Sequence, residues 1–309
     1  MTTRTWITVI LTLVAGAFAI HFGFSFPWSR TFTLLATSDW LLLTAACLVN
    51  IMSLAAKSTA WFLLLRRLGP LRLGTAQAAT FVGAAVNSIS VSISGEAARA
   101  QLAGRRDHIP FGAAAASLVV TRIVEAIGLI IILALALALS PPWHGARLVG
   151  LALGVTAAAF TLGCTLAPWS RLRSGAPRRW HETFMNLATK DRRGTAIAVG
   201  FASLNWVGQW LTYHWTIAAS HIDVTPAASL TALVMANLTG VLRLTPGNIG
   251  VMQGSLILGM RPFDIRAPDA LAAGLSLQAV QVLPILAIAA GILGVRGIRR
   301  LAARRPEAI

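Results

Sequence analysis

The stretch NLTGVLRLTPGNIGVMQG, residues 237–254, decides how the chain is read. It lies between apolar segments and is mostly apolar itself, yet it holds Pro246, four glycines, two asparagines, Arg243 and Gln253. A regular helix cannot run through Thr245-Pro246-Gly247, because proline removes a backbone donor and clashes with the preceding turn while glycine adds entropy. In hydrocarbon every freed N–H and C=O must find a partner, so interrupted backbone at membrane depth survives only where protein buries it or it lines a wet cavity. The stretch is therefore a candidate binding site. A second stretch of the same character, NSISVSISGEAAR at 87–99, lies about 150 residues earlier.

The surrounding composition supplies the membrane. Of 309 residues, 56% are hydrophobic and only 12% charged, against roughly 25% charged in soluble domains; mean hydropathy is +0.71. Apolar runs long enough to span a bilayer recur along the chain. The net charge of +16 does not point to nucleic acid, because the basic residues fall between the apolar runs, where they set topology and meet anionic headgroups.

In order, the pattern predicts a first helix over 1–26, a short connection over 27–39, and a span over 40–65 that contains Lys57. An apolar but Gly-, Ala-, Asn- and Ser-rich helical hairpin follows at 73–104, then a span over 111–139 with Arg122 and Glu125. Another span covers 147–166, and a basic polar segment lies along the headgroups at 168–193. A span over 195–218, a second hairpin over 227–260 broken at Pro246-Gly247, a last span over 270–295 and a basic tail over 296–309 complete the chain. Placing both termini and the basic loops in the cytoplasm puts 18 of the 26 basic residues on that side and four outside, with Lys57, Arg99, Arg122 and Arg243 embedded. This works only if both broken stretches are hairpins that leave by the face they entered. The expected fold is a single all-α integral membrane domain, with six full transmembrane helices and two oppositely oriented re-entrant helical hairpins in an inverted repeat. Residues 1–39 precede repeat 1 (40–139), residues 140–194 connect it to repeat 2 (195–295), and 296–309 form the tail. Polar positions nearly repeat: Glu96 and Arg122 are 26 apart, Gln253 and Gln278 are 25 apart, and Arg122/Glu125 and Gln278/Gln281 share a spacing of three. Broken helices meeting near the midplane are the architecture of many transporters.

Glu96 and Arg99 share a helix face, as do Arg122 and Glu125. Ionisable groups at this depth are costly unless paired or hydrated and mark pathways. One reading is a polar centre whose arginines hold an anionic phosphate through their planar forks. The other is helix knitting, with Arg99 paired to Glu125 and Glu96 to Arg122. The regions of Gly95 and Gly247-Asn248 offer either helix N-termini that attract anions or close helix crossings. Lys57 either snorkels or faces the cavity, Arg243 is a gate or snorkels, and Gln253 binds ligand or satisfies a carbonyl. No HExxH, Cys/His cluster, P-loop or Gly-x-Ser-x-Gly occurs, so neither enzyme activity nor a cofactor or metal is expected.

The order of Asn87, Gly95-Glu96-x-x-Arg99, Arg122-x-x-Glu125 and Pro246-Gly247-x-x-Gly250-x-x-Gln253 resembles the lysylphosphatidylglycerol synthase transmembrane region, also described as flippase-like membrane proteins. The resemblance spans nearly the whole chain. That family usually has Glu where this chain has Gln253, Arg where it has Gln278, and Pro in the loop occupied here by Ser92 to Ser94. The resemblance implies translocation of an anionic phospholipid or polyprenyl-phosphate-linked lipid, with no aminoacyl-transfer domain and hence no synthase activity expected in this chain. The expected partners are membrane lipids in the cell (cytoplasmic) membrane. A small-solute transporter, and a non-transporting subunit that docks a lipid-linked glycosyltransferase through the basic 171–193 segment, are the alternatives.

Overall fold

The computed structural model describes residues 28–67, 69–90, 94–139, 192–240 and 245–303. The predicted first helix, the 147–166 span, most of the basic segment, Arg243 and the end of the tail lie outside the described residues. Nine helices are seen among the described residues and no strand.

The chain from 27 to 39 is not a plain connection. Helix α1, Trp28–Ala36, occupies it. Its nine residues are too few to hold a helix by propensity alone. Tertiary contacts hold it instead: the guanidinium of Arg30 is ion-paired to Asp269, and the buried Thr31 hydroxyl donates to the Pro268 carbonyl at 3.2 Å.

Helix α2, Trp40–Leu65, starts at an N-cap where Asp39 accepts from the amides of Leu41 at 2.8 Å and Leu42 at 3.1 Å. Helices α3 (Leu73–Ile89) and α4 (Ser94–Asp107) form a hairpin. At its base the Arg72 amide donates to Asp107 at 2.8 Å, and at its tip the Gly95 amide donates to the Asn87 side chain at 3.0 Å. Helix α5, Phe111–Leu139, and helix α6, Arg192–Ala219, follow. Helices α7 (Pro226–Gly240) and α8 (Val251–Met260) form the second hairpin. The Thr239 and Ser255 hydroxyls meet near its tip at 2.5 Å, and Gly259 packs on Met235 further down. Between them lies a single 3-10 turn, Pro246–Asn248, in which Gly247 (φ 60°) and Asn248 (φ 55°), followed by Gly250 (φ 84°), are left-handed. Only glycine, and less often asparagine, takes that region without steric penalty. The long α9, Ala267–Ala303, closes the fold.

Lengths divide the helices into two kinds. α2 and the Ala267–Val295 part of α9 are long and apolar enough to cross a bilayer by length and composition. α5 and α6, with 29 and 28 residues, also reach beyond the ~30 Å hydrocarbon thickness at 1.5 Å per residue. The hairpin helices, with 17, 14, 15 and 10 residues, fall short of the roughly 20 that a span needs. Large apolar side chains such as Trp40, Leu41, Met52, Leu258 and Leu283 face outward, as in a protein whose surroundings are lipid.

The packing is paired. α2 and α6 make the most extensive contact and run antiparallel. The Asp39 amide donates to the Ala219 carbonyl at 2.8 Å at one end, Gln209 reaches Ser53 at 2.6 Å and Asn50 at 3.2 Å midway, and Arg67 reaches Thr195 at the other end. Around this pair three contacts have counterparts: α3 on α9 as α7 on α5, α4 on α5 as α8 on α9, and α2 on α9 as α6 on α5. Each half has its own core. Trp61, Leu65, Ala76, Ala100 and Leu118 centre the first, and Ile217, Leu230, Leu233, Leu256 and Leu277 the second.

Candidate functional site

Five charged side chains from three helices meet inside the first half. They form a row of alternating sign: Arg99, Glu96, Arg122, Glu125, Lys57. Arg99 reaches Glu96 at 3.4 Å, one turn away on α4. Glu96 is also ion-paired to Arg122 on α5. Arg122 holds Glu125 at 3.1 Å, and Lys57 on α2 closes the row on the other Glu125 oxygen at 3.0 Å. Arg99 is 4% exposed and Glu125 7%, whereas the Arg122 side chain is 44% exposed. The row therefore runs from a sealed end at Arg99 past an open middle. The expected Arg99–Glu125 pairing is not made: the i,i+3 geometry of α4 brings Glu96 to Arg99 first, and Lys57 takes the place at Glu125.

The surrounding side chains fix this row. The Arg99 guanidinium lies 4.2 Å from the centroid of the Trp61 ring, a cation–π contact, and the indole N–H of Trp61 donates to Ser117 at 2.9 Å. The Trp206 N–H on α6 donates to the Glu125 backbone carbonyl at 2.9 Å. Neither tryptophan stands out in the sequence, because an aromatic residue in an apolar span looks like core. Asn50, Gln209 and Gln281, which join α2, α6 and α9 through Gln209–Asn50 and Gln281–Gln209 bonds of 3.2 Å each, form a second polar seam. Its one sequence signal is a carboxamide inside an apolar run.

The other predicted residues gather at the two breaks. Gly247 lies against the tip of the first hairpin, where a β-carbon built on it would come within 2.5 Å of the Ser88 carbonyl oxygen. Gln278 donates to the Gly247 carbonyl at 2.9 Å. The two interrupted stretches thus touch. At the helix N-termini there, the Asn87 side chain accepts from the Gly95 amide at 3.0 Å, and the Gln253 side chain accepts from the Gly250 amide at 2.7 Å. Gln253 is a buried cap that also reaches the Gly274 carbonyl at 3.4 Å. Asn248 shapes the turn through its left-handed backbone, and its backbone N–H donates to the Thr245 carbonyl at 3.0 Å. Pro246 opens the same turn. Lys57, Glu96, Arg99, Arg122 and Glu125 are therefore brought into one cluster, while Asn87, Gly95, Gly247, Asn248, Gln253 and Gln278 shape the backbone at the two breaks.

No curated protein matches the chain. The family model for the lysylphosphatidylglycerol synthase transmembrane region matches residues 6–289, which takes in all five members of the charged row and both breaks. The chain is a member of the lysylphosphatidylglycerol synthase transmembrane-region family, a flippase-like family of lipid-related membrane proteins.

Proposed function

We propose that this chain is a membrane lipid translocase that carries an anionic phospholipid or polyprenyl-phosphate-linked lipid between leaflets without altering it chemically. In this reading six helices cross the cell membrane, the two hairpins dip in from opposite faces as an inverted repeat, and both termini are cytoplasmic. The headgroup phosphate enters at the charged row and is held by buried arginine, while the acyl chains remain in the bilayer. Glu96 and Glu125 serve as counter-ions that close on the arginines when no headgroup is present.

The observation that carries the reading is the charged row itself. Five ionisable groups on α2, α4 and α5 stand inside a mostly apolar bundle, where such groups are expensive and mark a pathway. The antiparallel α2–α6 pair and the exchange of contacts between halves support an inverted repeat, whose related helices must run in opposite directions. The meeting of the two breaks at Ser88 and Gly247 supports hairpins that reach a common depth.

The test is transbilayer movement of labelled anionic lipids in liposomes, with the parent compared to Arg122→Gln and both checked for monodispersity and thermal stability. The parent moves at least one anionic lipid, and the variant slows about tenfold or more, in line with loss of the guanidinium that holds Glu96 and Glu125 in the row. A parent that moves none of the lipids overturns translocation. Equal rates for every lipid overturn the arginine-centred mechanism.

A further inference from the structure

The members of the charged row are not equally committed. Arg122 gives one terminal nitrogen to each of Glu96 and Glu125, so both of its carboxylate partners are in place. Arg99 gives only Nη1, to Glu96. Its Nε and Nη2 are buried and have no hydrogen-bond partner among the described residues. These are the two nitrogens whose N–H bonds run parallel from one edge of the planar group, the edge that takes two oxygens side by side. Trp61 covers a face of the same guanidinium, so an acceptor meets that buried edge in the plane of the group, reaching it when the sealed end opens. A charged donor buried without an acceptor is unfavourable, so an edge with no acceptor among the described residues calls for one.

The charge count narrows what that acceptor is. The row holds three cations, Lys57, Arg99 and Arg122, and two carboxylates, Glu96 and Glu125, and so carries one unbalanced positive charge. In a low-dielectric interior a single negative charge balances it, whereas a dianion leaves a buried excess.

We propose that the Nε–Nη2 edge of Arg99 is the docking fork of the site, and that it takes a monoanionic group presenting two adjacent oxygens, a lipid phosphodiester, in preference to a dianionic phosphomonoester. Arg122 is the clamp that holds the two carboxylates and not the group that grips phosphate. This rests on the translocase reading only in taking the ligand to be a lipid.

Binding to the detergent-purified full chain, read as a ligand-induced thermal shift, tests it apart from transport. The probes are short-chain phosphatidylglycerol, a monoanionic diester; short-chain phosphatidic acid at pH 8, where a phosphomonoester with a second pKa near ~6 is mostly dianionic; and deacylated glycerophosphoglycerol. Phosphatidylglycerol binds about tenfold or more tightly than phosphatidic acid, and Arg99→Lys, which keeps the charge and loses the fork, weakens that binding by about tenfold or more. Equal or tighter binding of phosphatidic acid, or unchanged binding by Arg99→Lys, overturns the proposal. If Arg99→Lys does not fold, the parent's preference between the two lipids decides alone. Equal affinity for glycerophosphoglycerol assigns the fork to a water-soluble diester and overturns its assignment to lipid. A parent that binds phosphatidylglycerol through Arg99 yet moves no lipid refutes translocation alone. One that moves lipid equally well with Arg99→Lys refutes the fork alone.

Discussion

Gly95 lacks a side chain for a steric reason. A β-carbon there would collide with the Gly83 carbonyl oxygen and the Asn87 carboxamide, the contacts that let α3 and α4 approach and place Glu96 and Arg99 beside α5. Gly254 on α8 offers the opposite case, since a β-carbon there meets nothing within 4 Å. Gly95→Ala therefore lowers the melting temperature in detergent, by the equivalent of about 1–3 kcal/mol of overpacking. Gly254→Ala holds or raises it, since alanine is favoured over glycine in a helix by roughly 1 kcal/mol. Similar melting of the two variants would remove the close crossing as the reason for Gly95. At this scale the sequence was legible in kind and not in pairing. Ionisable residues at i,i+3 in apolar spans announced Glu96, Arg99, Arg122 and Glu125, because hydrocarbon tolerates such groups only with partners. Which carboxylate meets which arginine depends on the rotation of α5 against the hairpin, and spacing along one helix does not carry that. For the same reason Lys57 could be read either way until α2 was placed against Glu125, and Trp61 was invisible as the lid over Arg99.

Among the elements, those with both an apolar run and a terminal signal were the most legible. α2 is bounded by the Asp39 cap and by Arg66, and α5 by Phe111 and Leu139, where the composition changes abruptly. α1 was missed because nine residues carry too little periodicity to outweigh a loop, and its stability comes from Arg30 and Thr31 reaching α9. The second break was legible as a break, since Pro246-Gly247 forbids a helix, and the role of Gln253 within it was legible in part. Its polarity suggested a ligand contact or a satisfied carbonyl, and it does reach the Gly274 carbonyl; that it also caps the Gly250 amide follows from its position as the third residue of α8. Gln253→Ala leaves that amide and the Gly274 carbonyl without this partner. It costs about 1–2 kcal/mol, measured as a lower midpoint of thermal unfolding. An unchanged midpoint would return Gln253 to the set of ligand-binding candidates.

For the whole molecule, the antiparallel α2–α6 pair gives the bundle two chemically different ends. At one end Arg66, Arg67, Arg72, Arg105, Arg106 and Arg193 gather around the Arg67–Thr195 and Arg72–Asp107 contacts. At the other, a cavity of about 450 Å³ is lined by Arg30, His221, Asp223, Asp264, Arg266 and Asp269, where aspartates outnumber arginines. Cytoplasmic segments retain Lys and Arg, so in the proposed orientation the arginine-rich end faces the cytoplasm and the cavity faces outward. Two exposed small residues report on the two ends: Ser29 on α1 beside Arg30, and Gly74 at the start of α3, where a β-carbon meets nothing within 4 Å. In a background with Cys47 and Cys164 replaced by alanine, Ser29→Cys reacts with a membrane-impermeant maleimide added to intact cells. Gly74→Cys reacts only once the cytoplasmic face is exposed. Both are single small substitutions outside the packed cores, so retained expression and melting temperature accompany each result. Labelling of both from one side would mean that α2, the helix between them, does not carry the chain across the bilayer, and the inverted repeat would fall with it. Labelling in the reverse sense would leave the two-ended bundle intact and overturn only its orientation, because the same helices would then cross with their arginines outside.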